Sequence, residues 1–491
     1  MKKLAAYCLI FLGVLMPLVS SAQTPDAKVD INTDNVINDY YIGNGTQWDP
    51  YQLDYGKVRF NISDIDWQKL YNRLDFMHPQ FMRVMTNTTK YVKNGKFQPE
   101  KYGKQLFKIL DYCTRNDVTV MFGDWGGGMV SSEDNRLKKQ NIRYAAELVD
   151  FLINKKGFSA IKYFNIINEP NGFWSSTDGS FDLWSRAAAY LHKQFKALKL
   201  TNQISIVGPD VAIWGPKKSW WIDSTAANLG DAVGLYDIHT YPSKVTVNSG
   251  EYSDIIAAYK NKVPKGKKIV LGEVGFKYRK DADSLLDKEN KKRAEAKKYA
   301  SVLDSQMFVY DYIYGINVAD ALFQTVNQGY SGSVVWLLDD AMYSKEKKYK
   351  LKIWGFWNIL GEEFFGKKEE QVRPWFYAWS LLTKYMPSGS KVFKVKTSGD
   401  SAIKAIATEK DGKYMLAVVN VSKAKKMVEL KSSNMKPLDH VKKFIYAKGS
   451  LKKQGDHTIK PNEKNLNLNI RKGNEVLMPS ESLIVYTNFS Y

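Results

Sequence analysis

Eight short apolar runs, each followed by a stretch with helical patterning, recur between residues 40 and 340. They are YYIGNGTQW, FMRVM, VTVMFGDW, IKYFNIINEP, ISIVGPD, GLYDIHTYP, KKIVLGEVGF and GSVVWLLDD. A run that is apolar at nearly every position fits a strand buried on both faces, the condition of a parallel sheet covered by helices. The second to eighth runs close near Arg83, Asp124, Glu169, Pro209, His239, Glu273 and Trp336, spaced 30–45 residues apart except for a last interval of 63. Most intervals hold one βα unit, and the last has room for extra structure. The expected fold class is α/β, a (β/α)8 TIM barrel with its active site where the strands end. The competing doubly wound sheet would carry a glycine-rich turn after its first strand. GNGTQWDP lacks that spacing.

The intervening helices have the right periodicity. SFDLWSRAAAYLHKQFKAL starts at a Ser180 cap and aligns Leu183, Ala187, Tyr190, Leu191 and Phe195 on one face. A helix RPWFYAWSLLTKYM follows the eighth unit, and PSGS at 387–390 marks a boundary. Beyond it come short alternating runs, among them SKVFKVKT, KYMLAVVNVS and SLIVYTNF, which read as a small antiparallel β-sandwich. The domains expected are a leader at 1–22, the barrel at 23–389 and the sandwich at 390–491. The sandwich holds His440 and His457 but no clustered carboxylates, so it reads as a packing or glycan-contact module.

The leader is MKKLAAYCLIFLGVLMPLVSSAQT: Lys2 and Lys3, an apolar run, then small residues suited to cleavage near Ala22. It predicts a secreted or periplasmic protein with no membrane span. Cys8 lies in the leader, where bulky Tyr7 makes a poor lipid-attachment site, and Cys113 falls on the apolar side of a helix with Tyr102, Leu106, Ile109 and Leu110. No intrachain disulfide follows. The net charge of +21 comes from 72 basic and 51 acidic residues. Export argues against nucleic acid as the partner, and the scattered lysines read as a solvated surface or as attraction to an acidic polysaccharide.

IKYFNIINEPNG raises the chemical question, because a buried strand there runs into a carboxylate between an amide and a proline. If the fourth strand ends at Glu169 and the seventh at Glu273, the two side chains converge across the barrel mouth. Two facing carboxyl groups suit glycoside hydrolysis, one protonating the leaving oxygen and the other attacking the sugar carbon. The acid needs burial or a negative neighbour to keep its proton, and the nucleophile needs donors or a positive charge. Arg83 is a natural partner for Glu273, Tyr241 a second donor to it, and Asn168 a donor or acceptor for the hydroxyl beside the reacting carbon.

NIINEPNG and VLGEVGF, about a hundred residues apart, resemble clan A of the glycoside hydrolases. The resemblance spans most of residues 30–385, and the sandwich resembles the accessory domain of several of its families. It implies a retaining β-glycoside hydrolase on a (β/α)8 barrel, with Glu169 as acid/base and Glu273 as nucleophile. Arg83 matches the strand-two arginine, Asn168 the asparagine before the acid, and His239 and Tyr241 the strand-six His-x-Tyr. Trp336 matches the strand-eight tryptophan under the reacting sugar. The cellulase-like fifth and xylosidase/iduronidase-like thirty-ninth families are nearest in pattern. At strand three Asp124 and Trp125 stand where many members carry a histidine.

Substrate contacts are thus expected from Asn168, Arg83, His239, Tyr241, Trp336, Asp124, Trp125 and Trp214, the last from the crowd of aromatics in the later loops. Only one of the five histidines falls at a site, so a metal cluster is not expected, nor any cofactor. Gly126–Gly128 lacks the Gly-Lys-Ser/Thr ending of a phosphate loop, and no G-x-S-x-G elbow is present. Asp339 and Asp340 remain unassigned. The rivals are a glycan-binding protein on the same scaffold, which would not need both glutamates, and a transglycosylase, which would.

Overall fold

The structure is a computed structural model that describes residues 24–51, 61–340 and 350–491, with the short strands Asp54–Tyr55 and Val58–Arg59. The leader and its cleavage site lie outside the described residues. Eight parallel strands form the barrel: Gly43–Thr46, Phe81–Thr86, Thr119–Asp124, Ile161–Asn165, Ser205–Ile213, Val233–Thr240, Ile269–Val274 and Gly332–Val335. Each pairs with its neighbour in sequence. The eighth pairs with the first, Gly332 opposite Gly43 through Val335 opposite Thr46. The first meets the second through Trp48 N–H to Arg83 O (2.9 Å) and Gln80 N–H to Asn44 O (3.1 Å), which closes the ring.

Closure works because every strand contributes one interior side chain to a common plug. Ile42, Phe81, Met121, Tyr163, Val207, Leu235, Val270 and Val334 pack together at the barrel axis. Helices cover the outside. Phe181–Ala197 is capped by Ser180, whose hydroxyl accepts from Leu183 N–H (3.2 Å), and it buries Leu183, Trp184, Ala187, Leu191 and Phe195. Cys113 is a free, buried residue of helix Lys104–Arg115. No helix among the described residues is long and apolar enough to cross a membrane.

The second unit is a nine-stranded sheet, and its make-up departs from expectation in one respect. Strand Ala27–Tyr41, at the start of the chain, lies inside it between Ser390–Gly399 and Lys426–Lys431. It runs antiparallel to the first and parallel to the second, the only parallel pair in the sheet. Alternate residues Ala27, Val29 and Ile31 are buried in the sandwich core with Val428, Leu430 and Met478. The segment 27–41 therefore belongs with 390–491 in packing, although it precedes the barrel in sequence.

The other face of the sheet rests on the barrel. Helices Tyr312–Asn327 and Trp375–Lys384 are apolar almost all round because they are sandwiched between the two units. Polar ties cross the same boundary. Tyr446 Oη donates to Tyr312 O (2.8 Å), Asn327 Nδ2 donates to Ala405 O (3.0 Å), and Lys404 pairs with buried Asp320 (2.9 Å).

Candidate active site

The carboxyl ends of the strands bring six titratable groups into one largely buried cluster. Arg83 comes from the second strand, Asp210 from the fifth, Asp237 and His239 from the sixth, Glu273 from the seventh, and Glu169 from the loop after the fourth. Arg83 is fully buried and forks between acceptors. Nη1 donates to Glu273 and to Gln47 Oε1 (2.6 Å), while Nη2 donates to Asn168 Oδ1 (2.8 Å) and Asp210 Oδ2 (3.1 Å). Tyr241 Oη donates to the other oxygen of Glu273 at 2.6 Å.

The fourth strand stops at Asn165, four residues earlier than expected, and the chain bends before Glu169. Glu169 itself sits at φ 45°, in the left-handed region. Holding a non-glycine residue there costs about 1–3 kcal/mol and needs outside support. Asp210 supplies it by accepting Glu169 N–H (3.2 Å), and Asn171 adds a pair of hydrogen bonds to the Ala212 backbone at 2.7 and 2.9 Å.

Asp210 is the functional residue that sequence reasoning missed. The fifth strand was expected to close near Pro209 but runs on to Ile213. Pro209 pairs with Asp237 and Val211 with Ile238, so Asp210 is an extra residue in a bulge, at φ 58°. The bulge turns its carboxylate inward, where it accepts from Arg83, Asn165 Nδ2 (2.7 Å) and His239 Nε2 (2.9 Å). The available signal was the apolar run VAI that continues beyond Asp210.

Charge balance explains the protonation pattern. Burial opposes a charged imidazole, yet Asp210 and Glu273 outweigh it and hold His239 protonated well above the ordinary histidine range. Burial would lift Asp210, but Arg83 and His239 outweigh it and hold its carboxyl below the usual carboxylate range. Burial and the neighbouring Asp210 push Asp237 well up, so it keeps its proton. Gly272 makes room for it, since a Cβ there would come within 2.5 Å of Asp237 Oδ2. Burial also lifts Glu273, against the pull of His239 and Arg83.

Two trios, Glu169–His239–Glu273 and Asp210–Asp237–His239, have ligand-type atoms within 4.8 Å of one another. His239 turns both ring nitrogens toward carboxylates, Nδ1 to Glu169 (3.1 Å) and Nε2 to Asp210 (2.9 Å).

The expected contact residues lie in different surroundings. Arg83 and His239, expected to contact the sugar, are fully buried and hydrogen-bonded to Glu273, Glu169 and Asp210. Asn168, with its oxygen held by Arg83, and Tyr241 are partly exposed beside Glu273 and Glu169. Trp336 packs with Leu337, Trp354, Trp125 and Tyr241 as one aromatic wall, with Trp125 edge-on to it at 6.1 Å.

Asp124 is turned away from the substrate role given to it. It is buried, and its two oxygens accept Thr88 N–H (2.5 Å) and Gly126 N–H (2.7 Å). Replacing Asp124 by alanine orphans both amides and is expected to cost about 1–3 kcal/mol. The loss would be read as a lower midpoint in denaturant unfolding.

Trp214 lies on the exposed rim, edge-on to Trp174 at 5.7 Å. Trp174 is the closer residue, because its indole N–H donates to Glu169 Oε2 at 2.7 Å. Asp339 and Asp340 are structural. Asp339 accepts Trp357 Nε1–H (3.0 Å), and Asp340 pairs with buried Arg373 while accepting Trp354 N–H (2.9 Å).

No protein-family profile matches the chain, and no curated protein matches its sequence. Solved structures do match. A glycoside hydrolase family 30 subfamily 8 xylanase from Clostridium acetobutylicum superposes with TM-score 0.62 at 13% identity, covering 94% of this chain and 99% of that one. A family 51 α-L-arabinofuranosidase from Bifidobacterium longum gives 0.61 at 12%, and a monomeric β-xylosidase from Caulobacter crescentus CB15 gives 0.59 at 11%, each with the same coverage. The fold is theirs. The expected architecture, a (β/α)8 barrel with an attached β-sandwich, is thus shared with glycoside hydrolases of several families at identities where little else in the sequence is alike.

Proposed function

We propose that this protein is an exported retaining β-glycoside hydrolase that cleaves an oligosaccharide or polysaccharide by double displacement. One observation carries the reading: an oxygen of Glu169 and an oxygen of Glu273 lie within 4.8 Å of each other at the barrel mouth. Retaining enzymes separate their carboxyl groups by about 5–5.5 Å, and inverting ones leave about 6.5–9.5 Å for a water.

The surroundings divide the roles. Glu273 is held by Arg83 and the Tyr241 hydroxyl, donors that stabilise a carboxylate, so it is the nucleophile. Glu169 lies nearer the rim, between His239 and Trp174, so it serves the leaving group. In the first step a Glu273 oxygen bonds to the anomeric carbon, the glycosidic C–O bond breaks, and Glu169 gives its proton to the departing oxygen. In the second step Glu169 takes a proton from water, the water oxygen attacks the same carbon, and the bond to Glu273 breaks.

The test is hydrolysis of a panel of aryl glycosides and plant polysaccharides by the wild type. β-D-Xylosides and α-L-arabinofuranosides come first, because the structural neighbours are named for those activities. Proton NMR of the first-formed product should show the anomer of the substrate. Formation of the opposite anomer would remove the double-displacement reading, and binding without turnover across the panel would favour the glycan-binding one.

Phe173, Trp174 and Trp214 form an exposed aromatic rim beside Glu169, a surface on which a sugar acceptor can stack. That favours transglycosylation as the second reading, seen as lengthened products at high substrate concentration.

Tyr241→Phe gives a pH signature. The lost hydroxyl stabilises ionised Glu273, so its removal lifts a carboxyl already raised by burial. Activity is lost as pH falls through that group, so the acidic limb of the kcat/KM profile should move to higher pH while the alkaline limb stays.

A further inference from the structure

A cavity of about 720 Å³ adjoins the carboxylate pair without including it. Its wall contains Gln47, which is hydrogen-bonded to Arg83, and Trp125, which faces the Arg83 guanidinium at 6.0 Å. From there it extends over the segment that follows the second strand and takes in Lys90, Lys101 and Lys104, all exposed. Its volume exceeds what one sugar ring needs, so it has room for units beyond the cleavage point.

Among the described residues, the charges in and around this cavity do not balance. Its two carboxylates are Asp49 and Asp339, and both are engaged from within the protein. Asp49 accepts Gln47 Nε2–H (2.8 Å) and Met85 N–H (2.7 Å), and burial pushes its carboxyl up to about 7. Asp339 accepts Trp357 Nε1–H (3.0 Å) and Ile359 N–H (3.2 Å). The acids nearest the lysines in sequence are also engaged elsewhere. Glu100 pairs with Lys156 at 2.6 Å and Asp111 with Arg115 at 2.8 Å, while Asp124, further along, holds two backbone amides and feels the charge of Lys90.

Lys90, Lys101 and Lys104 make no ion pair with any described residue, whereas Lys69, Lys108 and Lys156 on neighbouring helices and loops each have one. The half-exposed ring of Tyr102 lies between Lys93 and Lys101, with ammonium-to-centroid distances of 5.8 and 5.4 Å. Apolar ring faces with unpaired ammonium groups beside them suit a sugar that carries a negative charge.

We propose that this cavity binds the anionic part of the substrate, a glycan bearing carboxylate or sulfate-ester groups, with Lys90, Lys101 and Lys104 as its charge contacts. The proposal rests on the hydrolase reading for its claim that the bound glycan is the substrate. An ammonium is a point charge with three donors and accepts either anion, so the test must separate the two.

Binding would be measured by calorimetry on the Glu273→Gln protein, which removes turnover from the readout. The probes are polymannuronate with its carboxyl-reduced form, and a sulfated galactan with its desulfated form. One charged polymer is expected to bind at least about ten-fold more tightly than its neutralised counterpart, and which one identifies the anion. The triple variant Lys90→Ala/Lys101→Ala/Lys104→Ala should lose about ten-fold of that preference. The triple variant Lys448→Ala/Lys460→Ala/Lys472→Ala changes net charge equally from the sandwich and should keep it.

Equal binding of charged and neutralised polymers, or equal loss in both triple variants, overturns the proposal. Hydrolysis of neutral glycans by the wild type with no preference for charged ones would overturn it and leave the hydrolase reading standing. Lysine-dependent binding with no hydrolysis of any glycan would keep the anion site and overturn the hydrolase reading.

Discussion

Replacing Glu273 by alanine is expected to slow hydrolysis of an activated aryl glycoside by on the order of 10⁴-fold or more, since the covalent route disappears. The same substitution opens space on the face of the sugar opposite the leaving group. Added azide should enter there and restore turnover, giving the glycosyl azide of inverted configuration. Glu169→Ala should behave differently. General acid–base assistance is worth about 10²–10⁴-fold, and its loss matters least for a leaving group that needs no proton. Azide then attacks the glycosyl-enzyme, and the azide product keeps the starting configuration. NMR of the two products therefore assigns both roles at once. Exchange of the two anomers between the variants would exchange the roles.

The second large effect concerns Asp210, which is expected to matter more for folding than either glutamate. Asp210→Ala leaves Arg83 and His239 without the carboxylate that lies between them. Removing one partner of a buried ion pair typically costs about 3–5 kcal/mol, because the remaining charge stays out of water. The unfolding free energy of the variant, from denaturant titration, should fall by that order. Asp210→Asn keeps the shape and loses the charge, so it separates the two contributions.

Since the folded-state carboxyl of Asp210 is held below its ordinary range, its stabilisation is complete above that range. It fades as pH falls through the depressed value. Activity should also drop in both variants, because Asp210 anchors the backbone of Glu169. An alanine variant as stable as the wild type would show that the cluster does not need this counter-ion.

Much of this was legible because parallel strands buried on both faces leave an unmistakable trace. FMRVM and VTVMFGDW became strands with every central residue buried. Glu273 could be read because it closes such a run. Asp210 could not, because a bulge places it inside a strand and the sequence shows only a proline followed by an acid. The burial of Arg83 and His239 beneath the carboxylates was not readable either, because strand-end position tells which side chains converge but not how deep each lies. Trp174 was hidden for another reason. An exposed loop tryptophan shows nothing in sequence of where its N–H points, and here it points at Glu169. The strand Ala27–Tyr41 escaped because AKVDINTDNVINDYY is rich in polar residues and pairs with residues about 350 or more positions away.

That strand has a consequence for how the protein is made. Ala27–Tyr41 is made before the barrel strands, and both of its partner strands are made after them. Domains generally fold as units in the order of synthesis. Here the barrel can assemble while the segment before it remains an unpaired edge, and the sandwich cannot be completed until the strands after the barrel are made. Completing the sandwich therefore means pairing a segment made before the barrel with segments made after it. A copy truncated after residue 389 would carry a permanent open strand at its N-terminus, a template for pairing with other chains rather than an independent catalytic unit.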